Sequence, residues 1–109
     1  MKPFRAEDHF ESNARLGIPT PDLKRDWDEM TEEEQAEIIY FWETVRGRIP
    51  DRIFALEREI NVLQQQLNEE ERFDKVIELT WDIADRASRI NDLQIFFRLN
   101  DNVAVKAHH

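Results

Sequence analysis

Carboxylates are the only reactive side chains that this chain carries in abundance. Its 109 residues include 24 Asp and Glu against 15 Lys and Arg, with no Cys and three His. His9 lies near the N-terminus and His108 and His109 end the sequence, so the predicted helices contain no Glu-x-x-His or His-x-x-x-His spacing. A helix-borne di-iron or zinc site is therefore not predicted, and the lack of Cys excludes thiolate ligands and disulfides.

Acidic pairs at helical spacing, such as Glu78 and Asp82, are the remaining candidates for proton transfer or cation binding. Acid–base catalysis needs a carboxyl group in an apolar pocket, because burial raises its pKa. Here the acidic residues of the last predicted helix share one polar face, which indicates solvated surface. The sequence also contains no glycine-rich phosphate loop and no Gly-x-Ser-x-Gly motif. We therefore predict a protein that is not an enzyme and uses no metal or cofactor.

Three Trp residues are the candidates for lining a ligand pocket. Trp42 and Trp81 both fall at apolar helix positions, which predicts packing in the core. Trp27 lies between Asp26 and Asp28, and either role fits it. A small-molecule site also needs convergent polar groups beside the aromatic rings, and the pattern offers none.

The net charge of −9 excludes one class of partner and favours another. Without a basic stripe the chain cannot displace counterions from a phosphate backbone, so we predict no nucleic-acid binding. No apolar run reaches the roughly 18 residues of a membrane span, and the N-terminus lacks the apolar segment of a signal peptide. We expect a cytoplasmic protein, and an acidic surface would suit a basic partner.

The clearest pattern is an apolar ladder in which steps of four and three residues alternate: Ile49, Ile53, Leu56, Ile60, Leu63 and Leu67. This is heptad spacing, which keeps one narrow seam facing another helix. It predicts a second helix from near Pro50, placed at the first helical position, to near Leu67. A shorter helix precedes it, from the capping box Thr31-Glu32-Glu33-Glu34 to about Arg46, with Gly47 expected as its C′ terminator.

The third helix, predicted over about Glu70 to Leu99, has an unusually wide apolar arc. One face carries Val76, Leu79, Thr80, Ile83, Ala87, Ile90, Leu93 and Phe97, and an adjoining face carries Ile77, Trp81, Ala84 and Ile95. Such an arc needs at least two helical neighbours. Small residues at 84, 87 and 88 permit close approach of another helix. Thr80, Asn91 and Gln94 lie on or beside the arc, either as a semi-exposed rim or as polar groups that select one helix register.

Two interpretations fit the sequence that connects the two long helices. Asn68 followed by three Glu residues resembles an N-cap with Glu at N3, which predicts a reversal there. The alternative is one continuous helix over 51–99. We favour the reversal, because the heptad phase changes character after Leu67.

The chain divides into three predicted regions. Residues 1–30 form an irregular segment that packs on the core, with a short helix from Ala6 to Leu16 and a turn starting at Thr20-Pro21-Asp22. Residues 31–99 form the helical bundle domain, and residues 100–109 form a frayed tail.

The predicted fold is all-α. Two long helices form an antiparallel hairpin, a shorter helix precedes them, and two copies pair into a four-helix-type bundle. The alternative is a monomeric three-helix bundle with the N-terminal segment as a fourth layer. The expected interface consists of Ile53, Leu56, Ile60, Leu63, Leu67, Ile83, Ile90 and Phe97. The predicted function is self-association as a non-enzymatic interaction module; the alternative is a small acidic regulatory or adaptor subunit that binds a basic partner protein.

Overall fold

A computed structural model describes residues 3–107, with side chains described for residues 3–98. The order of elements is a 3-10 turn (Ala6–His9), strands β1 (Phe10–Asn13) and β2 (Ile18–Pro21), a second 3-10 turn (Trp27–Glu29), and helices α1 (Glu32–Arg46), α2 (Ile49–Glu69) and α3 (Phe73–Ala107). The chain is therefore mostly helical, as predicted, with one short strand pair that was not expected.

The strand pair replaces two predicted helical features of the N-terminal segment. Phe10 pairs with Pro21 and Asn13 with Ile18 in an antiparallel hairpin. Gly17 adopts a φ of 75°, and the Asn13 side chain accepts a hydrogen bond from the Leu16 amide at 3.1 Å. These contacts reverse the chain where a helix from Ala6 to Leu16 was predicted. The turn expected at residues 20–22 is also wrong, because a residue before proline favours extended backbone.

Helix α1 begins as its sequence predicts. The amide of Glu34 donates to the Thr31 hydroxyl at 3.1 Å, and the amide of Thr31 donates to the Glu34 carboxylate at 3.0 Å. The Thr31 amide, and after it the Arg25 guanidinium, hold the pKa of Glu34 below its ordinary value. Gly47 does not terminate α1 as a left-handed C′ residue. It has right-handed helical angles (φ −61°, ψ −20°), so a short turn leads directly into α2.

The reversal between α2 and α3 is confirmed, but its predicted cap is wrong. Asn68 lies within the last turn of α2, which ends at Glu69. The Glu70 carboxylate accepts a hydrogen bond from the Arg72 amide at 3.0 Å, and the carbonyl of Arg72 accepts the first hydrogen bond of α3. Helix α3 continues through Ala107 instead of ending at Leu99. Residues 108 and 109 of the predicted frayed tail lie outside the described residues.

The main core lies where α1 and the β-hairpin pack on one end of α2 and α3. Its buried members are Leu16, Ile18, Trp42, Val45, Ile49, Leu56 and Leu93. The tip of the β-hairpin is fixed by polar contacts as well. Arg15 binds Asp92 at 2.5 Å and the Ser88 hydroxyl at 2.7 Å, and Arg52 donates to the carbonyl of Leu16 at 3.0 Å.

The other end of the α2–α3 hairpin projects from this core as a two-helix arm. We define the arm as residues 57–87. Leu79 is the only side chain in that range that is fully buried. The described residues accordingly measure 60 × 29 × 18 Å along their principal axes. An arm of two helices leaves much of its apolar surface in contact with water.

Candidate self-association surface

The predicted interface residues fall into two groups. Four of them belong to the core end of the molecule: Ile53, Leu56, Ile90 and Phe97. Leu56 is 0% exposed there and Ile53, Ile90 and Phe97 pack against the same cluster, so intramolecular contacts use much of their apolar surface. The other four lie in the arm and are only half-buried: Ile60, Leu63, Leu67 and Ile83.

The limited reach of α1 explains this division. Trp42 of α1 meets the ring of Phe96 at 6.2 Å, and the Arg46 guanidinium lies 4.2 Å from the centre of the Phe97 ring. At a rise of about 1.5 Å per residue, Ile83 lies about 20 Å further along α3 than these contacts. In the described part of the chain, the arm residues of α3 therefore have α2 as their helical neighbour and lack the second neighbour that the wide apolar arc requires.

A second apolar surface, which the predicted interface omitted, runs along the outer side of α3. We call it the outer stripe and define it as Ile77, Trp81, Ala84, Ser88, Asn91 and Ile95. All six residues are exposed, and Trp81 has 71% of its surface exposed. The prediction that Trp81 packs in the core is wrong, whereas the same prediction for Trp42 is confirmed. Trp27 is half-buried against the smaller cluster around Met30.

Helical geometry accounts for the exposure of Trp81. At about 100° per residue, Trp81 points about 160° away from Leu79, which packs on the α2 side. The outer stripe also repeats the four-three spacing of the α2 seam. Asp74 and Arg98, both exposed, continue the same ladder beyond its two ends. The sequence predicts the wide apolar arc of α3 but does not predict which part of the arc packs against α2.

Charged side chains line one edge of the outer stripe. Glu78, Asp85 and Asp92 recur there at seven-residue intervals, and each has a cation close by. Lys75 lies 3.3 Å from Glu78, Arg89 lies 2.8 Å from Asp85, and Arg15 holds Asp92. The opposite edge is uncharged, with Thr80, Ala87 and Gln94. Arg86, on the other side of α3, lies 3.9 Å from Asp82 and 3.4 Å from Asp85.

The outer face of α2 adds smaller exposed apolar features. Phe54 and Val62, which lie off the α2 seam, are exposed, and the Arg58 guanidinium lies 5.0 Å from the centre of the Phe54 ring. A groove of about 490 Å³ separates Ile53 and Phe54 from Gln94 and Phe97 near the core end. Its lining is mainly apolar, with Glu57, Gln94 and Arg98 as its polar members.

The described residues were compared with the requirements of a metal site and of a membrane-spanning helix. Among the side chains of residues 3–98, no three His, Asp or Glu are placed to hold a metal ion. Over the same range, no helix combines the length and the apolar character needed to cross a membrane. Comparison of the chain with protein-family models, with curated proteins and with solved structures finds no match.

Proposed function

We propose that the protein is a non-enzymatic helical interaction module that self-associates through the arm of its α2–α3 hairpin. The observation that carries the proposal is the exposure of apolar side chains along the middle of a regular helix. Trp81 is 71% exposed at the centre of this surface, and Ile77 and Phe73 are exposed beside it. Burying a large apolar side chain contributes about 2–3 kcal/mol, so several together favour association strongly.

A second copy of the chain is the partner that suits this surface. An amphipathic helix must bury its apolar side against another layer, and a two-helix hairpin supplies only one such layer. Two hairpins related by a two-fold axis bring four helices together, and each copy then covers the other's arm. Ile77 and Trp81, both exposed on the arm, would lose contact with water in such a dimer.

Sedimentation equilibrium over a range of protein concentrations tests the proposal. We expect a mass corresponding to two chains at tens of micromolar and dissociation on dilution. Trp81→Asp should shift the equilibrium toward the monomer without loss of helical content, because Trp81 makes no contribution to the buried core. A monomer mass at every concentration would contradict self-association.

A basic partner protein is the second candidate, favoured by exposed carboxylates at the tip of the arm. Glu69, Glu71 and Asp74 are all exposed there, and the whole chain carries a net charge of −9. Complexes held by exposed charges weaken with salt, because screening acts within about 10 Å at 0.1 M. A salt-sensitive complex that is lost on reversal of these three charges would favour the adaptor function, whereas an apolar dimer persists in salt.

A further inference from the structure

We propose that two copies pair through their outer stripes with the α3 helices antiparallel and the two-fold axis at the level of residue 86. This inference rests on the proposed self-association and specifies its geometry. Each α3 would then lie between its own α2 and the α3 of the second copy. The result is a flat layer of four helices instead of a closed bundle.

The spacing of the outer stripe is symmetric about position 86. Reading outward from that position, Ala84 and Ser88 are equidistant, as are Trp81 and Asn91, and Ile77 and Ile95. In an antiparallel pair of helices, equidistant residues of the two copies lie in the same layer. The stripe therefore forms three kinds of layer, each occurring twice by symmetry.

Each layer is chemically complementary. Ile77 faces Ile95 of the second copy, which is an apolar contact. Ala84 faces Ser88, which is a layer of two small side chains, and the Ser88 hydroxyl accepts a hydrogen bond from Arg15 of its own chain at 2.7 Å beside it. Trp81 faces Asn91, whose short amide leaves room for the indole and supplies an oxygen that can accept its N–H. A buried Trp N–H needs such an acceptor, and a buried amide selects one register.

The charges at the two ends of the ladder favour the antiparallel direction. Asp74 and Arg98 are also equidistant from position 86, and both are exposed, so opposite charges face each other at each end. Asp74 lies 3.7 Å from Arg72 within its own chain, but 82% of its side chain is exposed, so a second cation can reach it. In a parallel pair Asp74 would face Asp74 and Arg98 would face Arg98.

Shifting the antiparallel register by one heptad destroys the complementarity. Ile77 would then face Ser88, Trp81 would face Ala84, and Ile95 would face Glu70, beyond the end of α3. A shift of one heptad in the other direction would place Trp81 opposite Arg98 and Ala84 opposite Ile95. Of these three registers, the one centred on residue 86 is the one that pairs Ile77 with Ile95 and Asp74 with Arg98.

The acidic edge of the stripe is compatible with this pairing because its charges are already compensated. Along the helix axis Glu78 would lie about 3 Å from the level of Asp92 of the second copy, and Asp85 about 3 Å from the level of its own equivalent. Lys75, Arg89 and Arg15 neutralise these carboxylates within each chain. Arg15, bound to Asp92, would in addition lie beside Glu78 of the second copy.

Engineered disulfides test the register, since the chain has no Cys of its own. We expect Ile77→Cys and Ile95→Cys to form an intermolecular disulfide when the two variants are mixed under mild oxidation. Neither variant alone should cross-link, because the two copies of residue 77 would lie about 27 Å apart along the helix axis. A disulfide requires Cα atoms within about 7 Å. Val62→Cys mixed with Ile95→Cys is the matched control and should not react.

The outcomes separate this inference from the proposed function. Self-cross-linking of Ile77→Cys alone would overturn the antiparallel arrangement. A dimer mass without a 77–95 disulfide would overturn the register and leave self-association standing, whereas a monomer mass would defeat both. As a second readout, Asp74→Arg should weaken the dimer at least several-fold, and adding Arg98→Asp should restore it. Failure of restoration would also count against the register.

Discussion

Leu79 and Trp81 are two positions apart on α3 and lie on opposite sides of it, with 3% and 71% of their surfaces exposed. The α2 helix covers the side of Leu79, and none of the described residues covers the side of Trp81 to a similar extent. The largest side chain of the arm is therefore mostly exposed, whereas the smaller Leu79 is buried.

Truncation of Trp81 should affect association and leave the folding of the single chain intact. We expect Trp81→Ala to raise the concentration needed for dimer formation at least tenfold, measured by sedimentation. Tyr40→Ala is the control, because Tyr40 is similarly exposed (77%) but lies on α1. Trp42→Ala, in the core, should instead lower the free energy of unfolding by about 3–5 kcal/mol. Equal effects of Trp81→Ala and Tyr40→Ala on association would contradict the prediction.

The two sides of α2 should differ sharply in their sensitivity to truncation. Leu56 is fully buried, so Leu56→Ala should lower the free energy of unfolding by about 2–5 kcal/mol. Val62 is 53% exposed, so Val62→Ala should change it by less than about 1 kcal/mol. Urea denaturation of both variants measures the difference. Similar losses would show that the outer side of α2 is also buried in the assembled protein.

Gly17 should tolerate no side chain without a loss of stability. Its φ of 75° is costly for other residues, and a Cβ atom there would lie 2.6 Å from Nε of Arg52. Gly17→Ala should therefore destabilise the protein by about 1–2 kcal/mol because of the positive φ angle alone. It should also displace Arg52 from the Leu16 carbonyl. Gly47→Ala is the control, because Gly47 has ordinary helical angles and its Cβ meets nothing closer than 3.4 Å. Thermal denaturation should rank the two variants in that order.

Acid should weaken the start of α1 through Glu34. Hydrogen bonds from the Thr31 amide and the Arg25 side chain lower the pKa of Glu34 from its ordinary value of 4.5. The carboxylate therefore stabilises the folded chain fully above pH 4.5, and the effect is lost as the pH falls through the lower, folded-state pKa. Glu34→Gln should flatten this part of the stability-versus-pH curve, and Glu33→Gln should not. If Glu34→Gln loses stability on acidification as steeply as the unaltered protein does, Glu34 is not the group responsible.

The helices were predictable because their signals are local. The capping box at Thr31 and Glu34 lies within one turn, and the heptad ladder of α2 lies within one element. The β-hairpin was not predictable in this way, because it depends on the pairing of Phe10–Asn13 with a segment whose proline residues resemble a turn. The hairpin is held to α3 by the contact of Arg15 with Asp92, which are 77 positions apart. Neither segment contains a local sequence pattern that predicts this contact.

The candidate surface was predictable only in part for a related reason. Periodicity fixes the direction in which a side chain leaves its helix but does not state which direction another element will cover. For α3, with apolar residues over much of its circumference, both sides were available to α2. Packing placed Leu79 inside and Trp81 outside, and the expected core position of Trp81 was wrong.

The connection of Arg15 to α3 also sets the order in which the chain can fold. Helices α2 and α3 are joined by a short turn and can associate early, since closing a short loop costs little entropy. The main core needs Leu16 and Ile18 from the beginning of the chain and Leu93 from near its end. During synthesis the β-hairpin therefore cannot pack into the core until most of α3 has left the ribosome. Until then its apolar side stays exposed to solvent. The β-hairpin is thus made before the part of α3 that it contacts, and it is among the last elements of the core to reach its final contacts.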